Sequence, residues 1–245
     1  MRSIGAMNTA LTLDVVSDIS CPWCAVGLSA LQQAIAQVSA QVSAQGSDPA
    51  TDPATDPATE PPLTVSLRCQ PFELNPQMPP GGQDIGEHLT QKYGSTPEQQ
   101  AQIRETIRQR GAEVGFTFKP EGRGRIWNTF DAHRLLHWAA LQGADKQHAL
   151  KKELLNAYHG RAENVSDAEV LANACASVGL DAAQARAILA GDDYADAVRQ
   201  NEMQWQQAGI RSVPAIVINR QYLISGGQPV ETFEQALRKI AAGAA

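Results

Sequence analysis

The chain has 245 residues, a formal net charge of -6, 43% hydrophobic and 19% charged residues, a globular composition long enough for one sizeable core that carries an insertion. The acidic balance with scattered Lys and Arg excludes an electrostatic nucleic-acid binder. No apolar run approaches the roughly 20 residues of a membrane helix, so a soluble protein is expected, with no membrane partner.

Met1 to Ala10 show no basic segment followed by an apolar run, so no signal peptide is read there. Four cysteines in this length do not make a disulfide scaffold, and the cytoplasm is the expected compartment.

Leu11 to Ser17 alternate with Leu11, Leu13 and Val15 on one face, which predicts a strand. A helix follows, its apolar positions Cys24, Leu28, Leu31, Ile35 and Val38 recurring at three- and four-residue steps. Next comes a low-complexity stretch, about residues 39–62, in which Asp-Pro-Ala-Thr occurs three times. Such a composition buries too little to fold and is expected to be a disordered surface excursion. The strand pattern resumes at Leu63, with Leu63, Val65, Leu67 and Cys69 on one side.

From Asp84 to Ala208 the pattern is helical, with start signals at Thr96-Pro97-Glu98-Gln99, at Asn128, at Ser166 with Glu169, and at Asp181 with Gln184. A small bundle packed on itself and on the sheet is expected. Gly209 suits the residue after the last helix. Strands then return at Ala215–Ile218 and Tyr222–Ser225 around Asn219-Arg220, and a final helix carries Phe233, Leu237 and Ile240. The order predicts an α/β fold with a large inserted all-helical domain. Its divisions are 1–82, the insertion at 83–208, and 209–245.

The chemistry-bearing feature is Cys21-Pro22-Trp23-Cys24 at a helix start. Thiol–disulfide exchange needs an exposed thiolate to attack and a second thiol within a turn to resolve. Cys21, beside the unpaired N–H groups of the first turn, is the expected attacker; its thiol should titrate below the ordinary value of about 8.5. Cys24 faces inward and resolves. Pro22 fits the first helical position, and Trp23 is expected at the rim with apolar surface for a polypeptide. Asp18 opposes a thiolate at Cys21; it either moves a proton or is solvated. Cys69 and Cys175 read as buried small hydrophobes.

The same spacing is half of a zinc site, and His133 and His137 are the residues that could complete one. No second cysteine pair exists, and no metal is expected. Ser212-Val213-Pro214 precedes the Ala215 strand; its proline is either an ordinary trans residue or a cis one that exposes the Val213 backbone.

Taken together, a strand, Cys-x-x-Cys at a helix start, and Val-Pro before a hairpin and a terminal helix resemble the thioredoxin fold. With the helical insertion the chain is similar to the DsbA family of disulfide oxidoreductases. Its FrnE-like branch is resembled through Asp18-Ile19-Ser20-Cys21-Pro22-Trp23-Cys24, Pro71-Phe72-Glu73-Leu74-Asn75-Pro76, Asn128-Thr129-Phe130-Asp131-Ala132-His133, Gly209-Ile210-Arg211-Ser212-Val213-Pro214 and Ser225-Gly226-Gly227-Gln228-Pro229.

The resemblance implies a cis Val213-Pro214 bond facing Cys21, with the Val213 backbone pairing with an extended substrate segment. It also implies that Asn128 and His133 lie near the cleft as substrate-binding residues. The implied activity is disulfide exchange with proteins or small thiols, using the cysteine pair and no resident cofactor. One alternative is a glutathione-dependent isomerase or transferase of the kappa and 2-hydroxychromene-2-carboxylate isomerase type, with glutathione as co-substrate; such isomerases typically carry serine at the position of Cys21. Another is a chaperone-like peptide binder.

Overall fold

The computed structural model describes residues 10–45 and 63–243. The Asp-Pro-Ala-Thr stretch lies outside them. Strand β1 (Ala10–Ser17) leads through Asp18 to Cys21 into helix α1 (Pro22–Gln45), and β2 (Thr64–Pro71) lies parallel to β1. Helix α1 therefore continues into the segment assigned to the excursion, ending at Gln45 rather than before residue 39. Its extra turns read Ala-Gln-Val-Ser-Ala-Gln, a sequence without Gly or Pro to stop a helix.

At the other end of the chain β5 (Ala215–Ile218) and β6 (Tyr222–Ser225) form a hairpin, and α9 (Val230–Ala241) closes the fold. Asn219 and Arg220, both at positive φ, make the turn between the strands. Asn219 also accepts a hydrogen bond from the Thr12 amide, 3.0 Å, which fixes the hairpin against β1. The sheet order is β2-β1-β5-β6, with β5 antiparallel to β1.

Central β1 is buried on both faces. Leu11, Leu13 and Val15 join Leu28, Leu31, Ala34 and Val38 of α1 and Phe233, Leu237 and Ile240 of α9 in one core. Val16 points the other way, to Phe72, Ile210 and Ala215. Each fully buried leucine or phenylalanine contributes about 1.5–3 kcal/mol, so α1 is held by its packing rather than by caps.

Between β2 and β5 lies the helical insertion, and it does not pack as one bundle. Helices α2 (Ile85–Tyr93) and α3 (Pro97–Glu113) follow the two-residue strand β3 (Gln83–Asp84), which pairs with β4 (Arg125–Ile126). Helix α2 buries none of its residues, and α3 buries only Gly111; just beyond α3, Val114 and Phe118 enter the core around α1 instead.

The true bundle is α4 (Phe130–Gln142), α5 (Ala144–Leu155), a π-helical turn (Asn156–Gly160), α6 (Ala168–Ser177), α7 (Ala182–Ala190) and α8 (Ala195–Gln207). It forms a second core, with Leu135, Leu150, Leu154, Tyr158 and Leu171, and it takes Ile19 from the segment before α1. Thr96 caps α3 through a reciprocal capping box and Asp181 caps α7, as their sequences predict. Helix α6 is capped by Asp167 rather than Ser166, whose hydroxyl binds Asn164 Oδ1. The bundle also covers the free edge of β2: Gln147 of α5 accepts from the Cys69 amide at 2.9 Å and donates to its carbonyl at 2.8 Å, as a neighbouring strand would.

One close approach sets the position of the α1 start. A Cβ on Gly27 would lie 3.1 Å from both Gly227 Cα and Pro214 Cγ. A Cβ on Gly227 would lie 3.0 Å from the Trp23 carbonyl. Two facing glycines thus let the first turns of α1 rest on Pro214, just before β5, and on the loop between β6 and α9. Gly27→Ala gains about 0.5–1 kcal/mol of helix propensity but meets backbone and a proline ring that cannot yield. We expect a net loss of about 1–2 kcal/mol in urea denaturation, the overpacking cost of one methyl exceeding the propensity gain.

Candidate active site

The parallel strands β1 and β2 end side by side at Ser17 and Pro71. Beyond those carboxyl ends the chain turns through Asp18–Ser20 into α1, the place where open α/β sheets put their sites. Cys21 directly precedes α1, Pro22 is its first residue, and the Cys24 amide donates to the Cys21 carbonyl at 3.0 Å. All four cysteines are free thiols. The Val213-Pro214 bond is cis, and the Cys21 thiol donates to the Val213 carbonyl with Sγ 3.6 Å from the oxygen. The structure therefore brings Cys21, Cys24, Val213 and Pro214 together.

Cys21 is not the exposed thiol that exchange chemistry suggested: only 5% of its surface is accessible. The loop carrying Val213 and Pro214 covers it. Its thiol nevertheless titrates below the ordinary value, first because the Cys24 thiol hydrogen-bonds to it; the Cys24 amide and the Arg123 charge also help, against burial and the charge of Asp18. Cys24 is pushed well above the ordinary value by burial, and then by Cys21 itself; the Lys151 charge opposes the rise. The two thiols are thus split, one ready to ionise and one holding its proton.

Burial also pushes Cys69 up to about 11 and Cys175 up to about 12. Both are buried, as their places in the periodicity imply.

Asp18 is not solvated. None of its surface is exposed. Its Oδ1 accepts from the Ser20 amide at 3.1 Å and the Thr129 hydroxyl at 2.8 Å; its Oδ2 accepts from the Ser20 hydroxyl and the Leu74 amide, both at 2.7 Å. His133 Nε2 lies 3.6 Å from Oδ1. Burial alone would raise the carboxyl, but His133 and these donors outweigh it and hold it far below the ordinary aspartate range.

The structure places His133 near the site, in the interior. It is 2% exposed and faces Asp18. Asn128 acts as a cap: its side chain accepts from the Phe130 amide and donates to the Met78 carbonyl. His137 stands apart, half-buried with its ring 5.3 Å from that of Tyr194. No cluster of three metal-ligating side chains occurs among the described residues. Trp23 is half-buried, packed against the core around α1.

Several residues around the pair carried no signal of their own. Arg123 donates to the Ser20 carbonyl at 2.7 Å and lies 3.1 Å from His159 Nδ1. His159 Nε2 is 2.9 Å from the Ile19 carbonyl, so Nε2 carries the proton and Nδ1 accepts from Arg123. Burial, then Arg123, hold His159 well below its ordinary value. Tyr93, at the end of α2, is 63% exposed, and its hydroxyl is pushed up by burial and by the charge of Cys21. Ser20, Leu74 and Thr129 had a visible cue, since they stand inside the motifs that carry the family resemblance.

Asp18→Asn puts an amide N–H₂ where a donor now points, and should lower stability at pH 7 by about 3 kcal/mol. Because the folded carboxyl titrates below its ordinary value, this contribution is complete above about pH 4 and fades as pH falls toward the folded value. Denaturation at pH 7 and pH 3 should show a gap between wild type and variant that narrows at the lower pH.

The sequence profile of the DSBA-like thioredoxin domain matches residues 12–238. A crystal structure of a probable DsbA oxidoreductase from Streptomyces coelicolor is 32% identical, with a TM-score of 0.79 over 96% of this chain and 91% of that one. The uncharacterized protein YwbO of Bacillus subtilis (strain 168) is 25% identical over 226 residues, 92% of this chain and 94% of its own length. The cytosolic disulfide reductase DsbM of Pseudomonas aeruginosa, at 16% identity and a TM-score of 0.59 over 94% of this chain and 98% of that one, shares the fold. The chain belongs to the DSBA-like thioredoxin domain family and is an enzyme of the DsbA-like oxidoreductase kind.

Proposed function

We propose that the protein exchanges disulfides with proteins or small thiols through Cys21 and Cys24, as a FrnE-like member of its family. The observation that carries this reading is the pair itself. Two hydrogen-bonded thiols with opposite displacements in acidity sit at a helix start, and the attacking one lies against the Val213 carbonyl.

The Cys21 thiolate attacks one sulfur of a substrate disulfide. A Cys21–substrate bond forms, the substrate's own disulfide bond breaks, and the other sulfur leaves as a thiolate. Cys24 then loses its proton and attacks Cys21 Sγ, closing the Cys21–Cys24 disulfide and releasing the second substrate thiolate. The substrate gains two electrons and the pair loses two. Two molecules of a small thiol such as glutathione restore the dithiol, and the same steps in reverse oxidise a dithiol substrate.

The substrate approaches over the cis-proline loop, where displacement of the Cys21–Val213 contact opens the sulfur. Tyr93 adds an exposed ring to the apolar surface of Trp23, and low cysteine usage supports a cytoplasmic setting. Among the described residues no helix is long and apolar enough to cross a membrane.

The pair should titrate against glutathione as one two-electron couple, read by mass after alkylation. Insulin reduction in the presence of glutathione should fall to background in Cys21→Ser. Cys24→Ser should still attack, but accumulate the mixed disulfide. A Cys21/Cys24 pair that stays dithiol throughout the titration would end this reading.

A further inference from the structure

Lys151 is the buried charge that the reaction above leaves unused. It projects from α5 with 1% of its surface exposed. Its ammonium donates one long hydrogen bond, 3.4 Å to the Ser17 carbonyl at the end of β1. Among the described residues it takes part in no ion pair. An ammonium has three donors and is strongly hydrated in water, so one that is buried with a single weak bond is stabilised only by an anion beside it.

Its charge acts on two thiols, Cys24 and Cys69. Cys69 has no part in exchange, and burial pushes it up to about 11, so it stays a neutral thiol. Cys24 is different: the reaction makes it an anion twice, once as it attacks Cys21 in a mixed disulfide and once as it leaves when the closed pair is reopened. Asp18 is badly placed to serve instead as the base for Cys24. Its oxygens are taken by Ser20, Leu74 and Thr129, and a carboxyl that ionises so readily holds a proton poorly.

We infer that Lys151 is the positioning residue for the resolving half of the exchange, its buried ammonium at the end of β1 compensating the Cys24 thiolate. The inference rests on the exchange reading above. In this step the Cys24 proton passes to water, the Cys24–Cys21 bond forms, the bond from Cys21 to the substrate sulfur breaks, and that sulfur leaves with the electron pair. The other groups that bear on the two are Cys21 and Asp18 at the start of α1, Cys69 on β2, and His159 of the π-helical turn. Arg123 acts on Cys21 and His159. Among the groups that weigh most on Cys24, Lys151 is the cation.

One equivalent of dithiobis(nitrobenzoate) added to the reduced full-length protein gives a two-step readout. Attack by Cys21 releases a first coloured thiolate, and resolution by Cys24 releases a second. Lys151→Met should slow the second release about tenfold at pH 7 and move its half-maximal rate up by about one pH unit, with the first release within about twofold of wild type. Lys151→Arg should restore most of the second rate, which a purely packing role would not require. A second release in Lys151→Met with the wild-type rate and pH profile overturns the inference while the exchange reading stands. If Lys151→Met does not fold by circular dichroism, Lys151→Gln, which keeps a donor for Ser17 and loses the charge, carries the same expectation. A wild-type protein that gives no second release overturns the exchange reading, and the inference with it.

Discussion

The ionised carboxyl of Asp18, removed from water, is the constraint on which the site depends. A buried carboxylate is costly unless donors converge on it, and here they come from three parts of the chain. Ser20 belongs to the turn into α1, Leu74 follows β2, and Thr129 precedes α4. Satisfying one charge therefore docks the helical bundle onto the end of the sheet and fixes the path of the chain into Cys21. Ile19, next in sequence, is buried in the core of the bundle. The carboxyl and its neighbour act together, one by polar bonds and one by packing.

The acidity of the pair follows from that frame. Asp18 works against a thiolate at Cys21, and so does burial; the hydrogen bond from Cys24 and the Arg123 charge prevail over both. Arg123 can do so because its guanidinium is held by the Ser20 carbonyl and by His159, with the Tyr158 ring 4.9 Å away. His159 must stay neutral to accept from Arg123, and its own burial keeps it so. The attacker is thus tuned chiefly from α1, through the Cys24 thiol and amide, with a smaller contribution from Arg123, which His159 of the π-helical turn helps to hold. The cost of the arrangement is access, since the same loop that supplies the Val213 carbonyl covers Cys21.

What was legible in the sequence was whatever a short local pattern determines. The hairpin at Asn219-Arg220, the caps at Thr96 and Asp181, the apolar stripe of α1 and the order of elements all follow from neighbours within a turn or two. The cysteine pair is local in the same sense. Cis Val213-Pro214 opposite Cys21 came through family resemblance, not through periodicity. Side-chain environments were not legible, because they depend on contacts more than a hundred residues apart. Asp18 meets Thr129, Cys21 meets Arg123, and Lys151 meets Ser17 only once the bundle has docked. Asn128 and His133 were chosen from a motif that meets Asp18 through Thr129, which donates to it, and through His133, which faces it at 3.6 Å. The split of the insertion was hidden for a related reason: α2 and α3 carry helix signals as good as the rest, and only their lack of buried residues sets them apart.

A second acidic contact crosses the same seam with the opposite sign. Glu73, just after β2, and Glu202 of α8 share the guanidinium of Arg199, which is half-exposed and stacked on Phe130. Each glutamate leaves one buried oxygen without a partner. Asp18 has four donors for one charge; here one cation serves two carboxyls. Burial, with mutual repulsion at Glu73, therefore raises both. The linkage follows directly. The stability that Asp18 provides is complete above its ordinary value and is lost as pH falls through its lowered one. The stability that the glutamate pair provides is complete below their ordinary values and is lost as pH rises through the raised ones. The seam is therefore held best where Asp18 has ionised and the pair still shares a proton, in mildly acidic solution. At higher pH the bundle is held to the sheet chiefly by Asp18, Ile19 and the Gln147 clasp on Cys69, all beside the reactive thiols, while the glutamate contact farther out is the first to weaken.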